Sequence, residues 1–119
     1  MKTLQEVKSE GLQHIKYTDA TYKYKTSEWW TLVQNGKVLC ENVRYCWLYE
    51  KDVYEYFSSS GYTLVQEGEI LCENVIFCKW YTKNVYEYRT LLWYILVYND
   101  EILSHNAENY QWYEADKLL

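Results

Sequence analysis

Three observations in the 119-residue sequence predict an all-β, antiparallel fold assembled from a repeated unit. The first is internal copying. Residues 62–89 (YTLVQEGEILCENVIFCKWYTKNVYEYR) nearly duplicate residues 30–57 (WTLVQNGKVLCENVRYCWLYEKDVYEYF), and from Thr31 to Tyr56, 17 of 26 positions are identical at an offset of 32. The second is turn chemistry at regular spacing: Asn35-Gly36, Lys51-Asp52, Glu67-Gly68, Lys83-Asn84 and Asn99-Asp100. The third is composition between the turns, rich in Tyr (15) and Trp (6) and free of proline, which suits half-buried pleated strands.

The register continues beyond the two full copies. Tyr22, Tyr24, Trp30, Thr31 and Leu32 are the −32 partners of Tyr54, Tyr56, Tyr62, Thr63 and Leu64. Leu96, Val97, Ile102, Leu103, Asn106, Trp112 and Tyr113 continue the second copy at +32. Tyr17, Tyr49, Tyr81 and Tyr113 hold one position in four successive copies. The expected organisation is a single domain, 1–119: a short helix over 1–12, a partial unit over 13–29, full units over 30–61 and 62–93, and a partial unit over 94–119, the part-units capping the array.

In chain order, residues 3–11 read as a short helix. Thr3 and Glu6 fit a capping box, Leu4, Val7 and Leu12 supply part of an apolar face, and Gly11 is a stop. It is expected to cap the first sheet edge; a docking helix is the alternative. Hairpins follow over 15–25 and 30–40, the second fixed by Asn35-Gly36, whose residues accept the positive φ of a type I′ turn. A third spans 44–57 around Lys51-Asp52, and 58–61 is a loop. The second copy repeats this pattern. A further hairpin covers 92–103, a last strand 109–113, and the closing EADKLL is a strand end or a helical tail. In 53–57 the tyrosines point one way while Val53, Glu55 and Phe57 point the other, giving an aromatic face every 32 residues. A flat meander of this kind should curl, close or pair with a second copy, so a homodimer is expected.

Composition excludes several classes. An apolar content of 49% is too high for a disordered chain. Residues 31–119 hold seven Lys/Arg against 13 acids, which argues against direct binding to a nucleic-acid backbone. The opening MKTLQEVKSEG lacks the apolar core of a signal peptide, and no run is long and apolar enough for a membrane span. The expectation is a cytoplasmic chain with reduced thiols.

No motif points to catalysis. Cys40/Cys46 and Cys72/Cys78 are spaced C-x5-C, unlike a zinc knuckle, and read as buried thiols without a metal. His14 and His105 fall at different repeat positions and imply no nucleophile–base pair. Glu55 and Glu87 read as exposed strand residues copied by duplication rather than an acid–base pair. The four glycines form no phosphate loop. The expectation is a protein that is not an enzyme and uses no cofactor.

The strand–turn–strand segments WTLVQNGKVL and YTLVQEGEIL resemble WG-type β repeats, which open on an aromatic residue and turn on a glycine. Thr31, not glycine, follows Trp30, and no function or site is carried over. In overall character, short, acidic, single-domain and without catalytic motifs, the chain also resembles phage-encoded inhibitors of bacterial defence such as anti-CRISPR proteins. That resemblance implies action in the host cytoplasm on a protein partner, and it transfers no residue.

The function expected is non-enzymatic. An acidic, Tyr/Trp-rich surface would occlude a basic nucleic-acid-binding site on a partner protein such as a defence effector. Its candidate contacts are Glu41, Glu50, Asp52, Glu55, Glu67, Glu69, Glu73 and Glu87, beside Tyr54, Tyr56, Tyr86 and Tyr88. The alternative is a small-ligand binder that stacks a nucleotide or a sugar on its aromatics, with Lys16, Lys23, Lys25, Arg44 and Arg89 the cations placed to meet a phosphate.

Overall fold

The computed structural model describes residues 1–106 and 112–114. A helix, α1 (Leu4–Ser9), precedes the strands β1 (His14–Lys16), β2 (Thr21–Thr26), β3 (Trp29–Gln34), β4 (Lys37–Val43), β5 (Tyr45–Glu50), β6 (Val53–Ser58), β7 (Gly61–Gln66), β8 (Glu69–Val75), β9 (Phe77–Thr82), β10 (Val85–Arg89), β11 (Trp93–Tyr98), β12 (Glu101–Asn106) and β13 (Trp112–Glu114). The fold is all-β and antiparallel with one short N-terminal helix, as the repeat pattern predicts. Residues 109–111 of the expected last strand and 115–119 of the closing segment lie outside the described residues. No helix among the described residues is long and apolar enough to cross a membrane.

The antiparallel meander is divided among separate sheets, with strands in sequence order within each. The strands form three sheets, ordered β1-β2-β3-β4, β5-β6-β7-β8 and β13-β12-β11-β10-β9. β1, β5 and β9 are equivalent at +32, as are β4, β8 and β12, so each sheet holds one 32-residue repeat, and the third adds β13, the +32 equivalent of β9. The structural unit therefore begins about half a repeat away from the 30–61 and 62–93 frame of greatest sequence identity.

The sheet boundary has a local cause. Asn42 and Asn74 adopt left-handed φ values of 58° and 57°, a region that asparagine tolerates better than most residues. Each sits where the ladder slips. Trp30 pairs with Val43 but Leu32 with Cys40; Tyr62 pairs with Val75 but Leu64 with Cys72. A bulge bends its strand and steepens its twist. One residue beyond it the chain leaves the sheet: the Arg44 amide donates to the Phe57 carbonyl at 3.1 Å, and the Ile76 amide to that of Arg89 at 2.9 Å.

The chain groups into two compact units, Met1–Trp47 with Tyr56–Ser58, and Leu48–Glu55 with Ser59–Leu119. In the first, Thr3 caps α1 in the expected capping box. Fully buried Val7 packs on Tyr22, Tyr24 and Val33, with Leu4, Leu12 and Val38 around them. The Tyr22 hydroxyl donates to the Lys2 carbonyl at 2.7 Å, and the Lys2 amide donates to the Tyr24 hydroxyl at 3.0 Å. The helix thus covers a sheet face, not the sheet edge expected from the sequence. Two adjacent aromatic rings on β2 leave more apolar area to hide than the edge strand β1 does.

In the second unit the core comprises Leu64, Cys72, Val75 and Cys78, with Tyr49, Tyr62, Leu71, Trp80, Tyr86 and Tyr88 packed against it. Tyr86 and Tyr88 are the repeat partners of Tyr22 and Tyr24. The same aromatic pair is covered by a helix in one unit and by residues of β7 and β8 in the other.

Candidate functional site

The paired-turn end of the second unit collects the acids. The Glu67 amide donates to the Asp52 carbonyl at 2.8 Å, tying the β7–β8 turn to the β5–β6 turn. The Asn99 amide donates to the Asn84 carbonyl at 3.0 Å, tying β11–β12 to β9–β10. Gln66, almost fully buried, joins the two pairs: its Oε1 accepts from the Asn84 amide and from Trp80 Nε1, both at 3.0 Å, and its Nε2 donates to Asn84 Oδ1 at 2.9 Å.

Glu50, Asp52, Glu67, Glu69, Asp100 and Glu101 therefore line one rim. Within these turns only Lys51 and Lys83 oppose them. All are exposed except Asp52, which is half-buried. Lys83 reaches Glu67 at 3.5 Å, but both side chains are more than half exposed, so the pair is worth little and leaves the rim strongly negative.

Four of the acids expected at the binding surface, Glu50, Asp52, Glu67 and Glu69, thus meet. The others do not join them. Glu41 and Glu73 are exposed beside the bulge asparagines, and Glu73 lies four residues along β8 from Glu69, about 13 Å away. Glu87 is half-buried and accepts from the Tyr81 hydroxyl at 2.7 Å. Tyr54 and Tyr56 are half-buried on β6. Tyr86 and Tyr88 stack at 6.2 Å and pack on the core, so they are structural rather than free for a partner.

Glu55 is a clear correction. Instead of an exposed strand residue it is buried, accepting from the Tyr49 hydroxyl on Oε1 and from Cys78 Sγ on Oε2 at 3.2 Å. Alternation along a strand says which residues share a face; it does not say that packing will cover that face. Burial and the bond to Glu55 push the Tyr49 phenol well above its ordinary value. The bond to Glu87 raises the more exposed Tyr81 to about 12.

In the first unit the position of Glu55 and Glu87 is occupied by Lys23. It is buried, and its ammonium donates to the Cys46 carbonyl at 2.5 Å. The rings of Trp30, Trp47 and Tyr45 surround it at 4.9, 5.4 and 5.6 Å, within cation–π range. Burial lowers its pKa. This cage was missed in the sequence, although the signal was present: a lysine breaks a repeat position that holds acid in both later copies.

Three of the other four cations expected to meet a phosphate are engaged as well. Lys16 pairs with Asp19 at 2.6 Å, Arg44 lies over Trp29 at 5.3 Å, and Arg89 over Tyr94 at 5.0 Å.

The cysteines form two internal pairs. The Cys40 thiol hydrogen-bonds to Cys46, which lowers the Cys46 pKa and raises its own; nearby Lys23 favours the thiolate at both sulfurs. Cys78 is likewise bonded to Cys72 and is pushed up by that bond, by burial and by Glu55. No group of three or more metal-ligating side chains occurs among the described residues.

Comparison with protein-family models, with curated proteins and with solved structures finds no match.

Proposed function

We propose that this chain is a non-enzymatic binding protein whose acidic turn rim occupies a basic, nucleic-acid-binding site on a partner protein, as an anti-CRISPR-like inhibitor would in a host-cell cytoplasm. One observation supports this reading above others: six carboxylates, facing two lysines, are gathered on turns that backbone hydrogen bonds and the buried Gln66 hold in fixed relation. A preorganised acidic edge presents negative charge to a basic site, as a phosphate row does, without needing catalytic groups. The expected contacts are Glu50, Asp52, Glu67 and Glu69, with Asp100 and Glu101 extending them. The reading includes a homodimer, which light scattering at working concentration tests directly.

The deciding experiment captures partners of the tagged chain from host lysate at low and high salt. The expected result is a basic nucleic-acid-binding protein that is lost at high salt and that releases its nucleic acid when the purified chain is added. A co-purifying small molecule with no protein, or a protein whose nucleic-acid binding is untouched, overturns the proposal.

A further inference from the structure

One set of sheet positions is buried in two copies of the repeat and open in the third. In the β9–β13 sheet the cross-strand pairs Val85–Tyr98 and Glu87–Leu96 share a face; their equivalents in the β1–β4 sheet are Thr21–Gln34 and Lys23–Leu32. The β5–β8 sheet carries Val53, Glu55, Leu64 and Gln66 at these positions. All eight residues of the two earlier copies are buried. In the last copy Val85, Glu87 and Leu96 are only half-buried, and Tyr98 is 55% exposed. The cover is visible for the β5–β8 sheet: Leu64 and Cys78 share a core on which Tyr86 and Tyr88 pack, and Glu55 accepts from Cys78. Tyr86 and Tyr88 alternate along β10 with Val85, Glu87 and Arg89. The β9–β13 sheet therefore turns one face to its neighbour and leaves the other open.

The open face is aromatic and apolar, and it is balanced in charge. Phe77, 44% exposed, pairs across the strands with Arg89, and Leu96 with Leu103. Lys79 is the cross-strand partner of Glu87, and Glu101 that of Tyr98. Two cations thus accompany two anions, on a chain whose net charge is −5. A second, equally acidic copy meets no net repulsion there and can set Lys79 and Arg89 against Glu87 and Glu101. We propose that this face is the interface of the homodimer, two copies packing it against itself about a twofold axis. The faces that do the covering within the chain are already occupied: α1 lies on Tyr22 and Tyr24, and Tyr86 and Tyr88 pack on the β5–β8 sheet. A second copy therefore brings the same open face, which makes the contact isologous and closes the assembly at two chains. Burying Phe77, Leu96 and Tyr98 in this way supplies the cover that the central positions have in both earlier copies.

The inference rests on the homodimer of the proposed reading and is independent of the acidic rim. Sedimentation of the full chain from about 1 µM to about 1 mM reads the association, and a dimer is expected at the upper end. Phe77→Glu combined with Tyr98→Glu should raise the dimer Kd at least about tenfold, because carboxylates then face carboxylates where rings had packed. Ile70→Glu, at an equally exposed residue of β8 outside this face, should leave the Kd unchanged. If the double variant does not fold, as judged by circular dichroism, hydroxyl-radical footprinting of the native chain replaces it. Phe77 and Tyr98 should then lose reactivity as concentration rises, and Ile70 should not. A monomer at every concentration overturns both this interface and the homodimer in the proposed reading. A dimer that survives in the folded double variant, that Ile70→Glu disrupts, or that leaves Phe77 and Tyr98 reactive overturns this interface alone, as does growth beyond two chains. The rim reading fails separately, through the salt-dependent capture of a partner.

Discussion

Position 23/55/87 shows how one residue per repeat sets the character of its copy. A buried carboxylate is tolerable when its oxygens accept hydrogen bonds, and Glu55 has donors on both. Truncating it to Ala leaves the Tyr49 hydroxyl and the Cys78 thiol without that acceptor and opens a cavity, so Glu55→Ala should cost about 2–4 kcal/mol in urea unfolding. Glu50→Ala, on the exposed rim, should stay within about 0.5 kcal/mol. The partner of Glu87 makes a prediction in pH. Tyr81 titrates at about 12 when folded, above the roughly 10 of an unfolded tyrosine. Its contribution to stability is therefore present below about pH 10 and is lost as pH climbs towards 12. Phenolate absorbance against pH should show this late titration, and Glu87→Gln should move it back towards 10, because removing the charge removes the penalty on a neighbouring phenolate.

At the scale of elements, the hairpins were legible because each depends on two or three adjacent residues. Asn35 and Gly36 take φ values of 50° and 75°, and Asn99 and Asp100 take 45° and 72°, the type I′ pattern their side chains allow. The capping box of α1 was legible for the same reason. The division into three sheets was not. A repeat fixes a period but no phase: identity at +32 is the same wherever the unit is taken to begin. The phase comes from the bulges at Asn42 and Asn74, and an asparagine within a strand pattern is ambiguous until the ladder around it is known. Gly61 marks the same corner. Its φ is 133°, and a Cβ there would lie 2.7 Å from the Val75 carbonyl oxygen and 2.9 Å from the Asn74 carbonyl carbon, which are backbone atoms that cannot swing aside. Gly61→Ala should therefore lower stability by about 2 kcal/mol or more in thermal or urea unfolding. Gly68→Ala, with open space around the same atom, should lose less, since only its positive φ of 80° resists the change.

At the scale of the whole molecule, an acidic balance could be read from composition, but not which acids act together. Eight carboxylates were candidates. Burial removes Glu55, a tyrosine engages Glu87, and Glu41 and Glu73 sit at bulges. What gathers the rest is the antiparallel connection: in a four-stranded sheet the first and third turns fall at the same end, and here backbone bonds lock those turns together. A rim made this way acts through summed charge more than through any single contact, because exposed carboxylates on adjoining turns share one field that salt screens over about 8–10 Å. Replacing Glu50, Glu67 and Glu69 together with Lys should then slow association with the captured partner by about tenfold or more at low salt, while the dissociation rate changes far less. The same triple substitution should leave unfolding nearly unchanged, since none of the three side chains is buried. Surface plasmon resonance at two ionic strengths separates the cases: a native association rate that falls with salt beside a variant rate that does not identifies the rim as the steering surface, whereas equal salt slopes for the two proteins would place the recognition elsewhere.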